Sequence, residues 1–463
     1  MEANLPPAKE PRMERGIGMV QATAMNMSNM VGIGPFITIP VLMTALGGPQ
    51  AMLGWLVALI LALADGLVWS ELGAAMPGSG GSYHFLRDGF GRERWGRLMS
   101  FLFIWQFLFS GPLEIASGFI GFAQYLKYLW ASASEQAVLL AAGGVGLACI
   151  VLLYRPIRHI GRIMVGLWIG TLVTMAAVIF TGATHFDPKL AFDFPEGAWK
   201  LTPAFWLGLG MASRVGMYDY LGYYNICHLG DEVREPGRVI PRSLLVSLLV
   251  VAVLYVGINF SIIGIVPWRS FVPAGDTPAP VVSMMMEKVW GVDVANVFTI
   301  FVLLTAFACC VALLLGYSRI PFAAARDGNF FAVFGRLHPT GAFPHISLLV
   351  VGLLAVAFTF LPLMTVIDAL FTTRIVIQFC GQIAALMLLR RSRPDLPRPF
   401  KMWLYPLPAF LAFGGWIFLL VTTEQKMLAF GAVVLVLGVT AFLILAKVAR
   451  RWPFAPSAST MIP

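Results

Sequence analysis

Two kinds of group in this 463-residue chain could do chemistry. One is a carboxylate in strongly apolar surroundings, and the other is a backbone amide released where a helix cannot continue. Gly32-Ile33-Gly34-Pro35 lies in the middle of an apolar run. Pro35 has no amide to donate and biases Gly34 toward extended backbone, so a helix breaks here. Proline suits the first turn of a new helix, which then starts at Pro35. The amides of Ile33 and Gly34 would face a cavity at a positive dipole end, a site for a carboxylate. A second such place is Tyr218-Asp219-Tyr220-Leu221, set among Gly208, Gly210, Gly216 and Gly222. Glu114 lies in another apolar stretch. Carboxylates in such surroundings must face the interior and find partners. Glu114 and Asp219 would recognise a cationic group, carry a proton, pair with Arg214 or Arg374, or accept hydrogen bonds from hydroxyls and freed amides.

The elements that position these groups follow from composition. Apolar residues make up 59% of the chain and charged residues 12%, half the roughly 25% of an average soluble domain. So few ionic side chains cannot cover a soluble protein of this size, which excludes an ordinary soluble enzyme and a nucleic-acid binder. Twelve segments reach the roughly 20 apolar residues that span a bilayer as a helix: 16–46, 51–76, 95–128, 136–154, 160–181, 203–229, 243–266, 293–325, 344–361, 364–389, 404–422 and 427–446. Outer-membrane strands would instead alternate over short segments. Of the 32 Lys and Arg, 24 fall in the tails and every second loop and six on the opposite face. The tails, 1–15 and 447–463, are therefore expected in the cytoplasm, and the net charge of +9 is largely an orientation signal. The first tail lacks the apolar core of a signal peptide. All five cysteines lie in apolar stretches without metal-ligand spacing, and the histidines match no ligand motif, so neither a metal nor a cofactor is expected. The two interruptions sit 18 and 19 residues into their spans, from Gly16 to Gly34 and from Pro203 to Gly222. Matched interruptions in two halves point to a transporter's binding site.

The sequence resembles the amino acid–polyamine–organocation (APC) superfamily of permeases, and within it the L-type amino acid transporter branch. The resemblance runs from Arg15 to about Lys447. It rests on the stretch from Glu71 through Met76-Pro77-Gly78 to Gly80-Gly81-Ser82-Tyr83, on Gly32-Ile33-Gly34-Pro35-Phe36, on Asp231-Glu232-Val233 with Ile240-Pro241-Arg242, and on Arg326-Asp327-Gly328 and the segment from Arg393 to Pro399. It implies an all-α membrane protein of the LeuT type, with inverted repeats at 16–181 and 203–389, discontinuous first and sixth helices, and two peripheral helices at 404–446. Carried over by motif position, the substrate carboxylate would meet the amides of Ile33 and Gly34 beside Gly32. The α-amino group would meet the carbonyls of Met30, Tyr218 and Leu221 near Gly222, with Tyr218 as an aromatic gate.

The chain also departs from the pattern. Where several proton-coupled relatives have a lysine in span five, the matching position is Thr171. The hydroxyl positions that help hold sodium in other relatives would fall near Val311 and Ala312. Pro35 removes one donor from the carboxylate cradle. Glu71 is assigned to packing or gating with Asp65, and Asp231 and Glu232 to an inner gate with nearby arginines, Arg326 among them.

The expected function is a secondary transporter of small L-amino acids at the plasma membrane, the inner membrane if the source is bacterial, working by alternating access through exchange, facilitated or proton-coupled uptake. A neutral substrate is the first choice, and a cationic amino acid or polyamine held by Asp219 and Glu114 is the alternative. A transporter-like sensor is a more distant one. No Walker sequence, nucleophile–base pair or repeated filter points to a pump, enzyme or channel. Lipid surrounds the chain, and no obligatory protein partner is expected.

Overall fold

The computed structural model describes residues 15–449 except 79, 93, 155–159, 276–278, 340 and 342, and residues 160–168 by their backbone alone. The tails 1–14 and 450–463 and the loop 155–159, with Arg155, Arg158 and His159, lie outside the described residues.

The first apolar segment forms α1 (Met19–Met30), α2 (Gly34–Ile37) and α3 (Ile39–Leu46). The second half-helix starts at Gly34, with Pro35 in its first turn, one residue before the expected start. A second break follows at Thr38, where the axis bends by 64° and Pro40 opens α3. Pro40 lacks the amide a continuous helix would use. The chain continues through α4 (Leu53–Ala75), α5 (Ser82–Gly89), α6 (Trp95–Leu129), α7 (Glu135–Leu153), α8 (Ile160–His185) and α9 (Pro188–Ala191). Next come α10 (Pro203–Tyr220), α11 (Pro236–Ile263), α12 (Val281–Trp290), α13 (Val292–Tyr317) and α14 (Arg319–Arg326). Last are α15 (His345–Phe358), α16 (Leu363–Arg374), a π-helical stretch Ile375–Cys380, α17 (Gly381–Ser392), α18 (Leu407–Val421) and α19 (Gln425–Val448).

Among the described residues there is no strand beyond an isolated bridge of Ile17 to Val233. Among the described residues, seven helices are long and apolar enough to cross a membrane, eight if the bent first segment counts as one span. Ile169–His185, His345–Phe358 and Leu407–Val421 are shorter apolar helices. Helix occupies part of each of the twelve apolar segments.

Span six leaves its helix at Tyr220, within the interruption expected at Tyr218–Gly222. Gly222 then takes φ +103°, which favours glycine, and the chain goes on as 3-10 turns Asn225–His228 and Gly230–Glu232. Span seven, read from 243, starts at Pro236, because proline fits a first turn and the arginines after it reach outward. The N-terminal ends of α7 and α10 are capped by Ser134 and Thr202, whose hydroxyls accept from the amides of Ala137 and Phe205 at 3.2 and 3.3 Å.

The packing has an internal correspondence. Exchanging α1, α4, α6, α7 and α8 with α10, α11, α13, α15 and the α16–α17 segment turns α1 on α11 into α10 on α4. It likewise turns α6 on α15 into α13 on α7, α6 on α16 into α13 on α8, and α11 on α8 into α4 on α17. The short helices obey the same exchange, α5 lying on α6 as α12 lies on α13.

Candidate functional site

The two breaks meet. Met30, Gly32, Ile33 and Gly34 from the first, Tyr218, Asp219 and Leu221 from the second, and Glu114 from α6 line one buried cavity. Asn29, Ser117, Gly118, Cys309 and Leu313 complete the lining. Gly222 is not on that wall. It packs against Asn29, where a Cβ would stand 2.9 Å from the asparagine Cβ. The cavity measures about 30 Å³, room for a water or two and too small for an amino acid.

The Thr38 hydroxyl lies 2.8 Å from Asp219 Oδ2 and 3.0 Å from the Gly34 carbonyl, so its one proton goes to one or the other. Asp219 Oδ1 is buried without a hydrogen-bond partner among the described residues and fills the space where Gly34 would carry a Cβ. Tyr218 Oη lies 2.6 Å from Ser117 Oγ, which donates to the Glu114 carbonyl at 2.5 Å, tying the span-six break to α6. Tyr255 donates to the Met30 carbonyl, and the Leu221 amide to the Tyr218 carbonyl at 3.1 Å. A carbonyl has two lone pairs, so each of these can accept one more donor. The Cys309 thiol stands over Gly32, 2.9 Å from an added Cβ.

The two intramembrane arginines have different partners. Arg374 Nη2 lies 2.6 Å from Glu114 Oε2, and its guanidinium faces the Phe107 ring at 5.7 Å. That contact is ionic without hydrogen-bond alignment, which leaves the three Arg374 nitrogens without directed acceptors among the described residues. Of the two intramembrane arginines, Glu114 therefore meets Arg374. Arg214 Nε donates to Asp368 Oδ1 at 2.7 Å, and its Nη1 to the Leu419 carbonyl at 3.1 Å and the Thr422 hydroxyl at 3.0 Å. Asp219 has neither arginine.

The gating candidates divide. Glu71 is fully buried and accepts from Arg390 Nε at 2.8 Å and the Met402 amide at 2.8 Å, with Arg398 Nε at 3.5 Å. Glu71 thus gathers two arginines, while Asp88 pairs with Arg87 and Arg92 at 3.1 and 2.8 Å. Glu232 contributes its carbonyl to the Ile17 amide at 3.0 Å, which holds the start of α1. Asp231 lies in the same 3-10 turn, and Arg326 ends α14 without meeting the cavity. Thr171 donates to Thr305 at 3.2 Å, joining α8 to α13. The α13 face on the cavity carries Cys309 and Leu313, one turn apart, whereas Ala312 is exposed. Val311, the other position of the sodium comparison, is buried. Sequence reasoning missed Ser117, Thr38 and Cys309. The first was findable, since a residue three after Glu114 shares its helix face.

A family model described as amino acid permease matches residues 17–446. The chain is similar to the serine/threonine exchanger SteT of Bacillus subtilis, at 23% identity over 89% of this chain and 91% of that protein. It is also similar to the branched-chain amino acid permease BcaP of the same organism, at 23% over 85% and 84%. The human large neutral amino acids transporter small subunit 2 is 26% identical over 93% of this chain and 80% of its own length.

Proposed function

We propose that this chain, which belongs to the amino acid permease family, carries small neutral L-amino acids across the plasma membrane by alternating access. It is a multi-pass membrane transporter and not an enzyme. The observation that carries the substrate reading is the cavity where the two breaks meet, whose wall is mostly backbone and apolar side chains. A zwitterion's carboxylate would take the Ile33 and Gly34 amides, and its ammonium the spare lone pairs of the Met30 and Tyr218 carbonyls and the carbonyl of Leu221. Glu71 with Arg390 and Arg398 would close the cytoplasmic side, and Arg214 with Asp368 the outer side. Asp231, Glu232 and Arg326 would line the inner path, and Thr171 would hold α8 on α13.

The exchange symmetry of the packing supports two five-span repeats of opposite orientation with two further spans, twelve in all, and the basic loops support cytoplasmic tails. None of the described cysteines is exposed, which supports a chain acting without a disulfide-linked partner. A second reading, transport of a cationic amino acid or polyamine, is favoured by one observation: the unpartnered, buried Asp219 Oδ1 on the cavity wall.

Counterflow in liposomes tests both. Vesicles holding the purified protein are loaded in turn with each amino acid and two polyamines, and entry of a labelled mixture is followed without an ion gradient. Neutral amino acids are expected to drive accumulation. Asp219→Asn is expected to keep the order of preference among them. A wild type driven by cations, whose response to cations Asp219→Asn abolishes, would establish the second reading instead.

A further inference from the structure

Asp65 stands at the middle of α4, fully buried, and takes no part in the cavity wall. Three donors converge on its carboxylate. Trp69 Nε1 donates to Oδ2 at 2.9 Å, Trp416 Nε1 to Oδ1 at 3.2 Å, and the Tyr223 hydroxyl to Oδ2. All three are neutral, and among the described residues no cation pairs with it. Rings close the surroundings. Trp69 stacks on Tyr224 at 4.3 Å, Trp416 stacks on Phe379 at 3.9 Å, and Tyr223 meets Tyr224 edge-on at 4.9 Å. The other titratable groups facing this spot are Tyr224 from the same segment and Cys380 from the π-helical stretch, with His228 beyond Trp69 at a ring distance of 6.0 Å. From α11, Leu244 and Leu248 face the neighbouring Gly66, and from α17 the nearest charge is Arg390, engaged by Glu71.

Donor and acceptor chemistry decides what a proton would do here. An ionised Asp65 accepts all three bonds. A protonated Asp65 carries one O–H that needs an acceptor, and an indole N–H can only donate. Tyr223 Oη is the one partner able to accept. Taking up a proton therefore reverses the Asp65–Tyr223 bond: the carboxyl O–H donates to Tyr223 Oη, and the tyrosine's own proton must turn to another acceptor. Tyr223 directly follows Gly222, in the non-helical stretch after the span-six break. An isolated buried carboxylate with neutral donors is stable as the acid or as the anion according to its surroundings, whereas an ion pair is held in one state.

We propose that Asp65 is the proton-coupling carboxylate of this permease, binding and releasing one proton per cycle and passing that state to the span-six break through Tyr223. The assignment rests on the transport reading above. One proton is bound and one released, with no bond other than O–H formed or broken.

The test uses the full-length protein in liposomes, comparing counterflow without a gradient with accumulation driven by an inward proton gradient. Wild type is expected to do both. Asp65→Asn, whose amide copies the protonated carboxyl, is expected to keep counterflow within about threefold and to lose gradient-driven accumulation. Trp416→Phe removes one donor that binds the anion more strongly than the acid, so it should keep coupling and move the half-maximal pH of uptake upward. That shift is a readout that a merely structural role would not produce, and it serves if Asp65→Asn fails to fold. Wild-type counterflow with no response to the proton gradient would overturn the proposal, as would an Asp65→Asn that still accumulates. An unchanged pH profile in Trp416→Phe would overturn it too. No counterflow of any substrate by the wild type would instead overturn the transport reading.

Discussion

Asp368→Ala is expected to lower the stability of the detergent-solubilised protein by about 3–5 kcal/mol, the loss typical of one partner removed from a buried ion pair. Arg214 is 2% exposed. Without the carboxylate 2.7 Å from its Nε, the guanidinium retains only the Leu419 carbonyl and the Thr422 hydroxyl, both on Nη1. It cannot reach water in place. The double variant Arg214→Met/Asp368→Leu should regain most of the loss, because apolar groups of similar volume remove the desolvation penalty along with the attraction. Thermal unfolding followed by size-exclusion fluorescence reads both variants. A single variant as stable as wild type would mean that the pair is already open to solvent. The pair joins α10, just before its break, to α16 and α18, so the stable double variant also tests the outer closure. It is expected to fold and to exchange substrate with altered rates.

How much of this was legible in the sequence differs residue by residue. The break at Gly32-Ile33-Gly34-Pro35 was, because a missing amide and a glycine act locally and need no knowledge of the fold. The bend at Thr38 carried the same kind of signal in Pro40 and was passed over inside an otherwise continuous apolar run. The interruption of span six was legible in the glycines around Tyr218–Leu221, but the 3-10 turns that follow it were not, since Tyr223-Tyr224-Asn225-Ile226-Cys227 is apolar enough for a helix. Partners across the bundle were out of reach. Nothing local says that Arg214 meets Asp368, 154 residues away, or that Glu114 meets Arg374 and leaves Asp219 with a threonine. Asp65 shows the same limit: its donors come from Trp69 on its own helix and from Tyr223 and Trp416 far along the chain. The carboxylates announced themselves by their depth, but their roles depend on what the other half of the chain brings to them.

Gly34→Ala is the sharpest probe of the meeting point itself. An added Cβ would stand 2.1 Å from Asp219 Oδ1, with Tyr218 Cε1 at 3.5 Å. The side chain that must yield is short and 3% exposed, and its other oxygen lies 2.8 Å from the Thr38 hydroxyl. Swinging away would give up that contact and leave a buried carboxylate unsatisfied, at about 1–3 kcal/mol. At about 1.4 kcal/mol per factor of ten, counterflow should fall roughly five- to hundredfold. Removing the obstacle separates sterics from chemistry. If Gly34→Ala/Asp219→Ala recovers the thermal stability that Gly34→Ala loses, the clash is with Asp219 and the two breaks touch as described. Gly32→Ala provides the contrast, because its nearest obstacle is the softer Cys309 thiol at 2.9 Å, and it should fall less. Normal counterflow in Gly34→Ala would instead mean that the first break does not hold the substrate, and the site would have to be sought elsewhere in the bundle.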